Sequence, residues 1–192
     1  MKRARLVIAF VSALGVVLSG PVAASAAVAD DPRGDVAETA AAYLDIVHTK
    51  ATEQIGRNTF YFQTVTAQPV PAVPETFVAY NWFVDVPGGL PFQDYVFTVR
   101  FCSQAVQRVC GPGPWHWESS ENILATGVVN LNVFDFRIDG TTVTGFVDPA
   151  LFGNPEHFHW FAASRDAPAS TGRPSVDIAP DDPIGDAIPF DR

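Results

Sequence analysis

Two five-residue phrases near the ends of the chain, Asp31-Pro32-Arg33-Gly34-Asp35 and Asp182-Pro183-Ile184-Gly185-Asp186, differ only at their central residue. Each sets two carboxylates on a Pro/Gly turn, and Asp177 and Asp181 stand just ahead of the second phrase. A hard cation such as calcium takes six to eight oxygens from carboxylates, carbonyls and water. The termini of a domain often lie close together, so the two acidic ends can meet. Asp31, Asp35, Asp177, Asp181, Asp182 and Asp186 are therefore the candidate calcium ligands. The plainer alternative is that Asp-Pro and Gly-Asp form solvated turns and nothing more.

Trp115-His116-Trp117 is the candidate ligand surface, with Glu118, Glu121 and Asn122 alongside. Flat rings stack on the apolar faces of sugars while neighbouring polar groups reach the hydroxyls. Pro112 and Pro114 stiffen the segment and lower the entropy lost on binding. The competing use of these tryptophans is to cap the core. His157 and His159 share one face of a strand, a spacing found among zinc and copper ligands but also on any polar outer face. No nucleophile elbow, zinc-protease helix or phosphate loop is present. A glycosidase needs two carboxyls across a cleft, for which Glu118, Glu121, Glu156 and Asp135 are the available groups.

The chain opens with a basic head (Lys2, Arg3, Arg5), an uncharged apolar run of 13 residues from Leu6 to Leu18, and the small-residue pattern Ala27-Val28-Ala29. That order predicts a secretory leader over residues 1–29. The run is shorter than the ~20 residues of a membrane-spanning helix, so the expected product is secreted, with no membrane span. A formal net charge of -9, made more negative by losing the leader's three cations, repels nucleic acid and anionic lipid. Cations and neutral sugars remain as partners. Cys102 and Cys110, an even count in an exported chain, predict a structural disulfide that contributes roughly 2–3 kcal/mol.

The positioning elements read as strands. Tyr43–Gln54 and Thr59–Gln68 flank the turn cluster Ile55-Gly56-Arg57-Asn58 and predict a hairpin. Glu38–Leu44 has the alternative of one or two helical turns. Phe77–Val86 and Asp94–Cys102 are further strands, and Cys110–Asn122 reads as irregular. Leu131–Val147 alternates around Asp139-Gly140, the pair suited to a type I′ turn. His157–Asp166 is the last strand expected, and the Pro, Ala, Asp and Gly content from Ala167 onward is that of a loop or tail. The result is an all-β antiparallel β-sandwich of about seven to nine strands with irregular Pro/Asp-rich ends. Its expected divisions are the leader, a sandwich over 30–168, and a tail over 169–192 packed back on it.

The order of these features resembles the DOMON-like β-sandwiches related to family 9 carbohydrate-binding modules. The likeness rests on the opening DPxGD, the Leu44-Asp45-Ile46 strand, and an aromatic strand ending in aspartate (Tyr80, Asn81, Trp82, Asp85). Asp94-Tyr95, the -DG- hairpin, Trp160 and the closing D-x-A-P-D from Asp177 to Asp181 complete it. The resemblance implies two packed antiparallel sheets, calcium held by acidic loops, and in some members a carbohydrate in an aromatic groove. The expected role is a secreted, non-catalytic binding domain for carbohydrate or a cell-surface component. A small hydrolase working through paired carboxylates, or a protein-interaction module without a small ligand, are the alternatives.

Overall fold

The computed structural model describes residues 25–36, 40–88, 94–102, 110–111, 113, 115–167, 176–181 and 187–192. Twelve strands among them form two antiparallel sheets. One sheet runs in the order β1-β2-β3-β9-β8: β1 Ala26–Asp30, β2 Ile46–Gln54, β3 Thr59–Thr66, β9 Thr142–Val147 and β8 Asp135–Asp139. The other runs β11-β10-β4-β5-β6-β7: β11 Val176–Ala179, β10 His157–Ala167, β4 Phe77–Asp85, β5 Tyr95–Cys102, β6 His116–Ile123 and β7 Val128–Leu131. A last strand, β12 (Ile188–Asp191), pairs with β10 beyond the end of β11, so two short strands share one edge. The sandwich is thus shown, with more strands than the alternation predicts.

The alternation drives this packing. Phe60, Phe62, Thr64 and Thr66 of β3 point inward while their neighbours do not, as the two-residue period of a strand requires. Phe62 lies near the centre of the core, stacked on Trp82 and Phe97 and edge-on to Trp160. Burying one such ring contributes roughly 1.5–3 kcal/mol. Gly145 is needed opposite Trp82, because a Cβ there would stand 2.9 Å from Cζ3 of the indole. The indole N–H of Trp82 donates to Thr64 Oγ1 at 3.1 Å, so the buried polar edge is satisfied.

Several local expectations shift. Asp139 pairs with Thr142, making Gly140-Thr141 the hairpin loop. Gly140 has φ 59° and Thr141 does not share a positive φ, an arrangement of the II′ kind with glycine first rather than I′. The segment read as irregular becomes strand β6 from His116 onward, because its polar residues pair with β5 along eight positions. The tail carries β11 and β12, which contribute the buried Ala179, Ile188 and Phe190. Composition hid them because each is only four residues long. Strand β1 crosses Ala27-Val28-Ala29 and pairs with β2 over five positions. Cys102 and Cys110 are disulfide-bonded with Cα atoms 5.8 Å apart. No helix among the described residues is long and apolar enough to cross a membrane.

Candidate metal centre

Three chain segments bring five aspartates to one end of the sandwich. Asp31 follows β1, Asp35 closes the turn after it, Asp45 immediately precedes β2, Asp177 lies in β11, and Asp181 follows that strand. Carboxylate oxygens of Asp31, Asp35 and Asp181 lie within 4.8 Å of one another, as do those of Asp35, Asp45 and Asp177. Asp35 belongs to both groups and joins them.

The backbone fixes this arrangement. The N–H of Gly34 donates to Asp45 Oδ2 at 2.9 Å, holding the acidic turn against the head of β2. The N–H of Ile46 donates to Asp177 Oδ2 at 2.5 Å, fastening the same point to β11. Ser164 of β10 donates its hydroxyl to the carbonyl of Leu44. The N–H of Asp31 reaches the carbonyl of Val47 at 3.2 Å. The acids therefore sit where the two sheets meet, with Asp31, Asp45 and Asp177 buried on or beside strands and Asp35 and Asp181 exposed on the adjoining turns.

The electrostatics are unfavourable as the residues stand. Asp31 is only 8% exposed, and neither carboxylate oxygen has a hydrogen-bond partner. Oδ1 of Asp45 is likewise buried without one. Burial pushes the Asp31 carboxyl up to about 8, and the charges of Asp177, Asp35, Asp181 and Asp45 add to it. Burial also raises Asp177 to about 6; the hydrogen bond from Ile46 pulls against this, and Asp35 and Asp45 push with it. Asp181 is raised by loss of hydration and by Asp35. Buried carboxylates with unmet lone pairs and like-charged neighbours are costly. An all-oxygen donor set of this kind suits a hard divalent cation, which would supply the missing partner and offset the repulsion.

Asp31, Asp35, Asp177 and Asp181 of the predicted ligands are brought together here, while Asp182 and Asp186 lie outside the described residues. Asp45 was missing from the predicted set. Its signal was an acid placed directly between Leu44 and Ile46, both fully buried in the fold. No histidine joins a group of three or more metal-ligating side chains among the described residues; His157 instead contacts Asp191 at 2.7 Å.

The aromatic candidates do not form one surface. Because β6 alternates, Trp117 turns toward the core, stacked with Tyr80, edge-on to Phe101 and donating its indole N–H to the carbonyl of Ala72 at 2.9 Å. Glu118 faces the other way and is 1% exposed. Its Oε1 accepts from Arg100 Nε at 2.8 Å and its Oε2 from Gly111 N–H at 2.9 Å, with His116 Nε2 3.2 Å away. Burial alone would raise this carboxyl, but those hydrogen bonds and the Arg100 charge bring it below the ordinary value. Trp115 remains 46% exposed, against Phe101. Glu121, the other glutamate of this strand, is also buried and accepts from Asn130.

Comparison of the chain with protein-family models, with curated proteins and with solved structures finds no match in any of the three.

Proposed function

We propose that the chain is an exported, non-catalytic binding domain of the DOMON-like kind, fastened by calcium and recognising carbohydrate or a cell-surface component. The observation that carries the calcium reading is Asp31, a buried carboxylate with both oxygens unpartnered and four other aspartates around it. Calcium bound by Asp31, Asp35, Asp45, Asp177 and Asp181 ties the start of the sandwich to β11 across the sheet junction. The metal is structural here: it closes the end of the fold and leaves other surfaces to bind. Trp115 is the exposed ring through which a sugar would be met.

Thermal melting and calorimetric titration of the exported protein with calcium test the clasp. Sites in extracellular modules bind at about 0.1–1 mM. A hundredfold excess over the dissociation constant stabilises by about 2.7 kcal/mol. Asp31→Asn should abolish that increment while leaving the metal-free protein at pH 8 no less stable, since it removes a buried charge. A melting temperature indifferent to 10 mM calcium removes the metal from the account. Glycan-array binding lost in Trp115→Ala tests the ligand; an array without signal removes the sugar.

A further inference from the structure

The outer face of the seven-stranded sheet holds a cavity of about 780 Å³, within the range of small-molecule sites. Among the described residues lining it, only Arg100 and Arg165 are charged, in a chain whose net charge is -9. The strand register orders its floor into rows. Arg165, Ala79 and Arg100 lie opposite one another on β10, β4 and β5, so only a methyl separates the two arginine stems. Two residues along comes Ala163, Asn81 and Thr98, and two further along Phe161, Phe83 and Val96.

These rows differ in chemistry. In the first, Glu118 neutralises Arg100, whereas no carboxylate among the described residues pairs with Arg165, which lies over the Phe77 ring at 5.7 Å. Arg165 is exposed at the edge of the groove; partial loss of hydration and the Arg100 charge weigh against its cation. In the second row the polar groups satisfy each other: Thr98 donates to Asn81 Oδ1 at 2.9 Å, and Asn81 Nδ2 donates to the carbonyl of Ala163 at 3.3 Å. The third is apolar, with Phe83 and Phe161 stacked at 4.5 Å. Val176 and Ile178 wall one side, and Val129 and Leu131 the other. Four residues of strand span roughly 13 Å from the arginine row to the phenylalanine row.

We propose that this groove binds a small monoanion with an extended apolar body, its acid group at Arg165 and its chain running over the Asn81 row to Phe83 and Phe161. A carboxylate supplies the counter-charge that no described residue gives Arg165. Because Asn81 and Thr98 satisfy each other, the middle of the floor favours an apolar body over a hydroxyl-rich sugar, while Asn122, beside Val96, keeps a buried Oδ1 without a partner. The inference is independent of the calcium clasp and of Trp115.

Titration calorimetry of the exported protein with decanoate below its micellar concentration tests it. One-to-one binding is expected, weakened at least tenfold in Arg165→Gln and retained in Trp115→Ala. Ala163→Leu, which fills the middle of the groove, should also abolish it, with circular dichroism confirming that each variant folds. The proposal is overturned by a folded protein that does not bind decanoate saturably, by Arg165→Gln binding as well as the parent, or by 1-octanol binding as tightly as octanoate. Adsorption to phosphatidylglycerol vesicles without binding of free decanoate overturns it in favour of a lipid surface. Oligosaccharide binding that Ala163→Leu blocks, without decanoate binding, overturns the ligand class.

Discussion

The carboxylate of Asp177 accepts a hydrogen bond from the backbone N–H of Ile46 at 2.5 Å, joining two residues 131 positions apart. This one bond fixes β11, which belongs to the seven-stranded sheet, to the first residue of β2 in the five-stranded sheet. It also sets the spacing of the aspartate cluster, since Asp45 directly precedes Ile46.

Removing that acceptor leaves a buried N–H unpaired. At pH 5, where the raised Asp177 carboxyl is mostly protonated, Asp177→Ala should therefore destabilise the protein by about 1.5–3 kcal/mol, within the range for a buried donor left unsatisfied. For a chain of this size that lowers Tm by roughly 3–12 °C. Asp177→Asn keeps an acceptor and should lose less. Melts of the two variants in chelator, where any metal is absent, make the comparison, and equal losses would count against the bond.

Stability of the calcium-free protein should fall as pH rises from about 4 to about 8. An acid whose pKa is raised by folding binds more protons in the folded state. Its contribution is thus complete below the unfolded value of 3.8 and is lost through the folded one, about 6 for Asp177 and about 8 for Asp31. Glu118 has the opposite sign, since its lowered carboxyl contributes above its ordinary value of 4.5 and loses that contribution as pH falls. Calcium should raise Tm more at pH 8 than at pH 5, because protons compete for the same oxygens. A Tm in chelator that climbs between pH 5 and 8 contradicts the placement of Asp31.

Trp117→Ala should act on stability, Trp115→Ala on the surface alone. Trp117 packs on Tyr80 and Phe101 and satisfies the carbonyl of Ala72. Truncating a tryptophan in a core costs about 3–5 kcal/mol, and the partial exposure of this one places it toward the lower end. Trp115 is nearly half exposed, and its loss should stay within about 0.5 kcal/mol. Urea melts distinguish the two, and a Trp117→Ala variant as stable as the parent would return that ring to the ligand reading.

On the reading of a secretory leader, the amino terminus of the processed protein should lie at or before Ser25, not at Asp30. Cleavage after Ala29 would delete all of β1 except Asp30, although β1 pairs with β2 from Ala26 to Asp30 and the carbonyl of Ser25 accepts the N–H of Glu53. Val22-Ala23-Ala24 offers small residues for a cut that spares the strand. Amino-terminal sequencing reads the answer directly, and a product starting at Asp30 would show that the sandwich forms without this edge.

What the sequence determined by itself is what side-chain period determines. Phe60, Phe62 and Thr64 alternate with Tyr61 and Gln63, and an alternating strand can bury only one face; the antiparallel sandwich and the hairpin near Gly140 follow from such local signals, and the disulfide from the pair of cysteines. The acidic cluster was legible only in part, because Asp31 and Asp35 sit on a turn-forming phrase whereas Asp45 is a lone acid in an apolar run. Nothing local distinguishes such an acid from a strand-end solvent contact. Only the tertiary structure decided that Asp45 joins the others, that Trp117 faces the core while Glu118 faces away, and that Arg165 and Arg100 lie in one row. Those are matters of register between strands up to dozens of residues apart, and a one-residue change of register exchanges the faces of every side chain.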